Sequence, residues 1–254
     1  MMLRPALLLS FLLSLAACSG HNEAPGASTP TTPAPASAQT TTPASTQSAT
    51  AEPAPAASPD VPVGPVPVAG IDYIEIAGGQ PFSGNAGGIE VAEVFSYTCP
   101  HCAHFEPMVE AWRARQPADV TFVPVAGPFG GNPKPFAQAF YAADALGVRA
   151  KTHVAVFNAI HVERSLDAMK ATPESIAAFY GKFGVDPATF ARTMGSAETD
   201  AQLQRALKFI QKSGVDSSPG LVVAGKYRVT GHTMEDMLRI ATHLVAKERA
   251  ARGG

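Results

Sequence analysis

Two cysteines separated by a proline and a histidine are the residues of this sequence best suited to chemistry. They are Cys99 and Cys102, in the stretch FSYTCPHCAHF. A C-x-x-C pair can bind a metal, close a structural disulfide, or exchange electrons with other thiols. The residues around the pair favour one of these roles.

The metal-binding interpretations fit the sequence poorly. His101 and His104 could join the two cysteines as zinc ligands, but C-x-x-C normally takes a second ligand pair from elsewhere, and no second C-x-x-C occurs. Four further histidines stand in no metal-ligand spacing: His153, His161, His232 and His243. A c-type haem requires C-x-x-C-H, and Ala103 follows the second cysteine here. We therefore expect no metal and no organic cofactor.

A purely structural disulfide is also disfavoured, because a bridge over two residues closes a loop too small to constrain the unfolded chain much. The sequence around the pair instead indicates a reactive thiol. A strand is predicted over IEVAEVFS, residues 89 to 96, and a helix from about Pro100 to Gln116. Pro100 suits the first helical position, where a missing N–H costs nothing.

Cys99 would then lie at the helix N-terminus, next to unpaired backbone N–H groups and the positive end of the helix dipole. This environment stabilises a thiolate and lowers its pKa. Cys102 lies one turn further along and is expected to be more buried, and His101 adds a donor or a positive charge near the Cys99 sulfur. A dithiol whose reduced form is stabilised in this way oxidises other thiols.

The other elements follow from hydrophobic periodicity and turn residues. Alanine-rich helical segments occupy residues 133 to 213, and Thr233 is the predicted N-cap of a last helix. The remaining predictions are strands at 71–76 and 119–125, two short strands within 221–229 around a turn at 224–226, and the last helix at about 234–249. The order predicts an α/β sheet domain, from residue 68 to 254, with a helical subdomain inserted at about 130–213.

The N-terminal region has a different character. Residues 1–17 combine an arginine with a short apolar run and predict a secretory signal peptide. LAAC, residues 15 to 18, resembles the lipobox of bacterial lipoproteins, in which the cysteine is lipidated. This interpretation explains Cys18, the third of three cysteines, and leaves the other two as a pair in an oxidising compartment. Ser19 favours the outer membrane by resemblance to proteobacterial lipoproteins.

Residues 18–67 are predicted to form a disordered tether after the lipidated cysteine, because a segment rich in Pro, Ala, Thr and Ser cannot bury enough apolar surface to offset its ordering entropy. The net charge of −2 over 254 residues gives no indication of nucleic acid as a partner. No heptad or dimerisation segment is evident in the sequence.

FSYTCPHCAHFEP with its preceding strand, together with SSPGLVVAGKYRV, resembles the DsbA family of periplasmic thiol oxidases. That family has a thioredoxin fold carrying a helical insertion, and the resemblance covers roughly residues 68–250. A depressed cysteine pKa and an oxidising potential are known properties of this family. The resemblance implies that Cys99 is the exposed nucleophile and Cys102 the resolving partner.

The same resemblance assigns roles to three further residues. Pro219 would be a cis-proline lying against the disulfide, and Ser218 would present its backbone to an incoming extended peptide. Glu93 matches a buried acid of the family that could accept or relay the proton of Cys102. Glu106 also matches an acidic position, but on a helix surface it is expected to be solvated, and His104 is expected to have no chemical role.

The predicted function is donation of the disulfide to folding secreted or envelope proteins, with a DsbB-type membrane partner as reoxidant. The predicted location is the periplasm, with a lipid anchor in the membrane. The resemblance to the family also implies a monomer. Ser217 and Ser218 stand where family members have a glycine and an apolar residue, and Pro107 is more typical of thioredoxin. These departures affect the redox potential but not the reaction class. A reductase or isomerase of the same fold, working with the reduced pair, is an alternative, and a zinc-binding envelope lipoprotein is a weaker one.

Overall fold

The structure is a computed structural model that describes residues 62–84 and 87–253. The predicted signal peptide at 1–17, the lipidation site Cys18, and the tether up to residue 61 lie outside the described residues. In the part of the chain that is described, no helix is long and apolar enough to cross a membrane.

A mixed sheet of five strands, counted over the described residues, forms the centre of the fold, in the order β1-β5-β4-β2-β3. Central strand β2 pairs in parallel with β3 and antiparallel with β4. All seven residues of β2 are buried, as its central position requires. The strands are β1 Tyr73–Glu75, β2 Ile89–Phe95, β3 Val120–Ala126, β4 Gly220–Val223 and β5 Tyr227–Val229.

Seven helices complete the described part of the chain. Helix α1 connects β2 to β3, and α7 follows β5, while the other five lie between β3 and β4 as an insertion. Their bounds are α1 Pro100–Arg113, α2 Pro133–Ala145, α3 Arg149–His161, α4 Pro173–Gly181, α5 Pro187–Met194, α6 Ala197–Ser213 and α7 Met234–Gly253. The predicted α/β sheet with a helical insertion is therefore what the structure contains.

Two hydrophobic clusters pack on the sheet, and β2 contributes to both. Because successive strand side chains point to opposite faces, Ala92 and Val94 join the cluster shared with the insertion, and Val91 joins the cluster with α7. Cys99 and Cys102 belong to the cluster shared with the insertion. The reactive pair therefore packs into the cluster that the inserted helices help to form.

Several predicted boundaries differ from the structure. Helix α1 ends at Arg113 rather than Gln116, and it continues through Pro107. The β4–β5 turn forms at the predicted place, where three residues separate the paired Val223 and Tyr227, and two of them, Ala224 and Gly225, have positive φ.

The domain also begins before the predicted residue 68. The carbonyl oxygen of Val63 lies 3.2 Å from Nε2 of His243, and that of Pro65 accepts a hydrogen bond from Arg239. Both partners belong to α7, so this part of the predicted tether lies along the C-terminal helix.

Candidate active site

The cysteine pair lies where a fully buried strand of the sheet meets a helix. Strand β2 ends at Phe95, and Cys99 is the N-cap of α1, with extended backbone at φ −90° and ψ 117°. Pro100 occupies the first helical turn, as predicted. The exposed fraction is 7% for Cys99 and 0% for Cys102, so the expected exposed nucleophile is the more accessible cysteine but is itself largely covered.

The surroundings of Cys99 stabilise its thiolate. Its pKa is lowered to about 5, first by a hydrogen bond from the Cys102 thiol and then by the Ser218 side chain. The backbone N–H groups of Cys102 and His101 lower it further, and partial burial opposes these contributions. This agrees with the expectation that the helix N-terminus favours the thiolate.

Cys102 has the opposite character. Its pKa is raised well above the usual range, first because its thiol donates to Cys99, and then by burial and by the nearby Glu93. A disulfide between two such thiols is polarised, because only one of its sulfurs is stabilised as a thiolate.

The loop before β4 lies against the Cys99 sulfur. The peptide bond between Ser218 and Pro219 is cis, as the resemblance implied. The Cys99 sulfur lies 3.4 Å from the Ser218 carbonyl oxygen, in hydrogen-bonding geometry. Both Ser218 and Pro219 are half-buried, so the loop borders the reactive sulfur and is accessible from solvent.

Glu93 lies beneath the pair in the middle of β2. It is 1% exposed, and in the sheet it stands opposite Pro124 of β3 and Leu221 of β4. Burial raises the pKa of its carboxyl well above the ordinary value, and the charges of Glu106 and Cys99 add to the effect. The predicted burial is therefore confirmed.

Glu106 is not solvated, so the expectation for this residue is wrong. It lies on α1 one turn after Cys102, is 5% exposed, and faces α3. Its Oε2 is 3.4 Å from Nε2 of His153, whose Nδ1 is 2.7 Å from the Tyr97 hydroxyl. The helical insertion covers this face of α1, which the sequence of α1 alone does not indicate.

His153, Tyr97 and His161 were not predicted as site residues. Nε2 of His161 lies 2.7 Å from the Tyr97 carbonyl oxygen. Tyr97 could have been noticed from the sequence only because it stands just before the cysteines. Nothing in the sequence points to the two histidines, because they lie on an inserted helix more than fifty residues away from Tyr97.

The remaining predicted residues lie on the outer side of the site. Pro100, His101 and His104 are exposed. His101 lowers the pKa of Cys99 through its backbone N–H, and its ring is not among the groups that shift this pKa. Over residues 62–84 and 87–253, no three His, Cys, Asp or Glu side chains are grouped so that they could hold a metal ion.

Comparison with known proteins agrees with this geometry. Residues 78–241 match the family model described as Thioredoxin. The sequence is 40% identical over 186 residues to the thiol:disulfide interchange protein DsbA of Pseudomonas aeruginosa, covering 72% of this chain and 86% of the relative. It is 38% identical to DsbA of Azotobacter vinelandii over 72% of this chain and 85% of the relative.

A solved structure is similar as well. The crystal structure of the oxidoreductase DsbA from Xylella fastidiosa is 47% identical in sequence, with a TM-score of 0.71, and the match covers 73% of this chain and 100% of that one. The expected thioredoxin fold with an inserted helical subdomain is confirmed.

Proposed function

Because the chain belongs to the DsbA family of thiol:disulfide interchange proteins, we propose that it oxidises client proteins through Cys99 and Cys102, with Cys99 as the attacked sulfur. The observation that carries this assignment is the inequality of the two thiols. Cys99 has a pKa of about 5, whereas the pKa of buried Cys102 is raised.

The reaction starts from the Cys99–Cys102 disulfide. A client thiolate attacks the Cys99 sulfur, the bond to Cys102 breaks, and Cys102 takes up a proton. A second client thiolate then attacks the client sulfur of this mixed disulfide, and Cys99 leaves as a thiolate. The client loses two electrons to the enzyme, and the low pKa of Cys99 makes it a good leaving group.

Glu93 is the proposed proton donor and acceptor for Cys102. Its raised pKa keeps a proton beneath the pair, so it can protonate Cys102 when this sulfur leaves. In the reverse direction the Glu93 carboxylate accepts the Cys102 proton, so that Cys102 can attack a mixed disulfide at Cys99.

The loop with Ser218 and Pro219 is the proposed client-binding segment. The Ser218 backbone borders the Cys99 sulfur and is accessible, which suits pairing with an extended peptide. Pro100 and His101, which stand between the two cysteines in the sequence, are exposed and would contact the same peptide.

The cellular setting is proposed from the sequence and the family. We propose a periplasmic monomer, anchored through lipidated Cys18 and reoxidised by a DsbB-type membrane protein. Radiolabelled palmitate fed to expressing cells should label the protein, and a Cys18→Ser variant should be unlabelled and leave the membrane fraction. Equal labelling of this variant would exclude Cys18 as the anchor.

Two measurements test the catalytic assignment. A Cys99→Ser variant should fail to oxidise a reduced model protein, whereas Cys102→Ser should form mixed disulfides with the client and not release them. In equilibrium with glutathione, the wild-type pair should be easily reduced. A potential near that of thioredoxin, about −270 mV, would instead favour a reductase.

A further inference from the structure

Helix α3 of the insertion holds the segment before the cysteines with two histidines. His153 contacts the Tyr97 hydroxyl at 2.7 Å, and His161 contacts the Tyr97 carbonyl oxygen at 2.7 Å. The two histidines differ in what lies beyond them, because His153 also has the Glu106 carboxylate at 3.4 Å from its other ring nitrogen. His153 therefore connects the residue before Thr98 and Cys99 with the helix that carries Cys102.

The site around His153 is closed and mostly aromatic. The His153 side chain is 13% exposed and that of Glu106 is 6% exposed. Three phenylalanine rings surround the imidazole with centroid distances of 5.0 to 5.9 Å, namely Phe95 of β2, Phe140 of α2 and Phe157 of α3. In such surroundings an electrostatic interaction is screened less than at the surface.

Among the described residues, few groups near His153 can carry a charge. Glu106 of α1 and the phenol of Tyr97 contact the imidazole. The Tyr97 hydroxyl is neutral, since burial raises its pKa, and Tyr180 of α4 lies next to it. Arg149, one turn earlier on α3, is paired with Asp144. Glu106 is thus the carboxylate that an imidazolium at His153 would neutralise.

Glu106 in turn acts on the proposed proton carrier. It follows Cys102 by four residues on α1, so both lie on one face of the helix. Its negative charge raises the pKa of Glu93, and Glu93 raises that of Cys102. Neutralising Glu106 would therefore lower the pKa of Glu93, so that more of this residue is the carboxylate that can accept the proton of Cys102.

We propose that His153 is a positioning residue for the exchange reaction, which orients Glu106 and, when its imidazole is protonated, offsets the Glu106 charge so that Cys102 can lose its proton to Glu93. This proposal rests on the proposed function. Histidine is the side chain that ordinarily changes charge between about pH 5 and 8. An effect that needs a charged imidazole must therefore grow as the pH falls.

The step affected is the attack of Cys102 on a mixed disulfide at Cys99. The Cys102 proton passes to Glu93, the Cys102 thiolate forms a bond with the Cys99 sulfur, and the thiol bound to Cys99 leaves with the electron pair of the broken bond. No further oxidant or reductant takes part. When His153 is neutral, Glu106 is uncompensated, Glu93 keeps its proton, and the step slows.

The test uses the full-length protein carrying glutathione on Cys99, and measures release of glutathione in a single turnover as a function of pH. His153→Gln keeps an amide near Tyr97 and Glu106 but cannot become charged. We expect it to release glutathione roughly fivefold more slowly than wild type at acidic pH, the factor that corresponds to one lost ion pair of about 1 kcal/mol, and at the wild-type rate at alkaline pH. A uniform slowing, or an unchanged profile, would overturn the proposal.

Glu106→Gln provides the second variant, because it removes the charge that His153 offsets. It should release glutathione at least as fast as wild type at acidic pH, and adding His153→Gln to it should change nothing more. Additive effects of the two substitutions would contradict the proposal, since residues that act through one another are non-additive. Glu106→Gln alone keeps the proposal falsifiable if His153→Gln folds poorly, because slower release of glutathione by this variant at acidic pH would contradict it.

His161→Gln is the matched control, since it removes a histidine that holds Tyr97 but contacts no carboxylate among the described residues. It should leave the shape of the pH profile unchanged. Failure of the proposed function is separately visible: a Cys99→Ser variant that still oxidised clients would refute that function. An inactive Cys99→Ser together with a wild-type profile for His153→Gln would refute only the role of His153.

Discussion

The N-terminus of α1 differs from those of α4, α5, α6 and α7 in the described part of the chain. Those four helices start with a side-chain oxygen that accepts a hydrogen bond from the backbone N–H three residues on, at 2.8 to 3.3 Å. The capping residues are Thr172, Asp186, Ser196 and Thr233. Helix α1 starts with Cys99, which makes no such cap bond.

The difference shows how one helical feature serves either stability or reactivity. A side-chain cap satisfies N–H groups that would otherwise lack a partner and stabilises a helix by about 1 kcal/mol. At α1 the N–H groups of His101 and Cys102 are instead directed at the reacting sulfur and lower its pKa. The cap of α1 is therefore complete only when Cys99 is a thiolate, which means in the reduced protein.

The largest expected effect is a pH-dependent stability of the reduced protein. The folded pKa of Cys99 is about 5 and the value for a free thiol is 9.0, so between these values the folded state binds fewer protons than the unfolded state. The free energy of unfolding of the reduced protein should therefore rise with pH across this window, and the contribution is lost as pH falls through 5. Thermal unfolding of reduced and oxidised protein from pH 4.5 to 9 measures it.

The oxidised protein is the internal control, since its Cys99 has no titratable thiol. The difference in Tm, reduced minus oxidised, should grow steadily as the pH rises. A Cys99→Ala variant should lack the extra slope. A constant difference across the window would mean that the α1 N-terminus does not stabilise the thiolate.

A smaller expected effect distinguishes the contribution of the α1 N–H groups to the low pKa of Cys99 from that of the Cys102 thiol. In Cys102→Ala the hydrogen bond that lowers the Cys99 pKa most is removed, while the N–H groups of α1 remain. The thiolate of Cys99, followed by its ultraviolet absorbance, should titrate roughly one to two pH units higher than in wild type, still below the value for free cysteine.

His104→Ala, an exposed position on the same helix, should leave that titration unchanged. A titration in Cys102→Ala identical to wild type would assign the whole effect to the helix N-terminus. A titration at the value for free cysteine would assign it to the Cys102 thiol.

The smallest effect concerns a helix whose cap has only a structural role. Thr233→Ala removes the oxygen that accepts from the Asp236 N–H and should lower the free energy of unfolding by about 1 kcal/mol, measured by urea denaturation. The glutathione equilibrium of Cys99 and Cys102 should not change. A shift in that equilibrium would show that the two helix ends are coupled.

Much of the site follows from the sequence because its determinants are local. A buried strand leading into C-P-x-C places Cys99 at a helix N-terminus, and resemblance placed Pro219 and Glu93 beside the pair. Because β2 is an interior strand that is covered on both faces, Glu93 is buried whichever face it occupies. The α/β order and the inserted helices were likewise predicted from periodicity and turn residues.

The polar residues behind the pair could not be predicted in the same way. Glu106 was expected on a helix surface, since α1 alone does not show that α3 covers it. His153 and His161 come from that covering helix, and their relation to Tyr97 depends on how the insertion packs on the sheet domain. Tertiary packing of distant segments is not encoded in a local pattern.

The hydrogen bonds between residues 63–65 and α7 have a mechanical consequence. A pull on the chain from the N-terminal side is resisted first where His243 and Arg239 hold the carbonyl groups of Val63 and Pro65. Helix α7 spreads this load over the strands it packs on, β2, β4 and β5. Because these contacts precede the short edge strand β1 along the chain, a pull from the N-terminal side meets them before it meets β1.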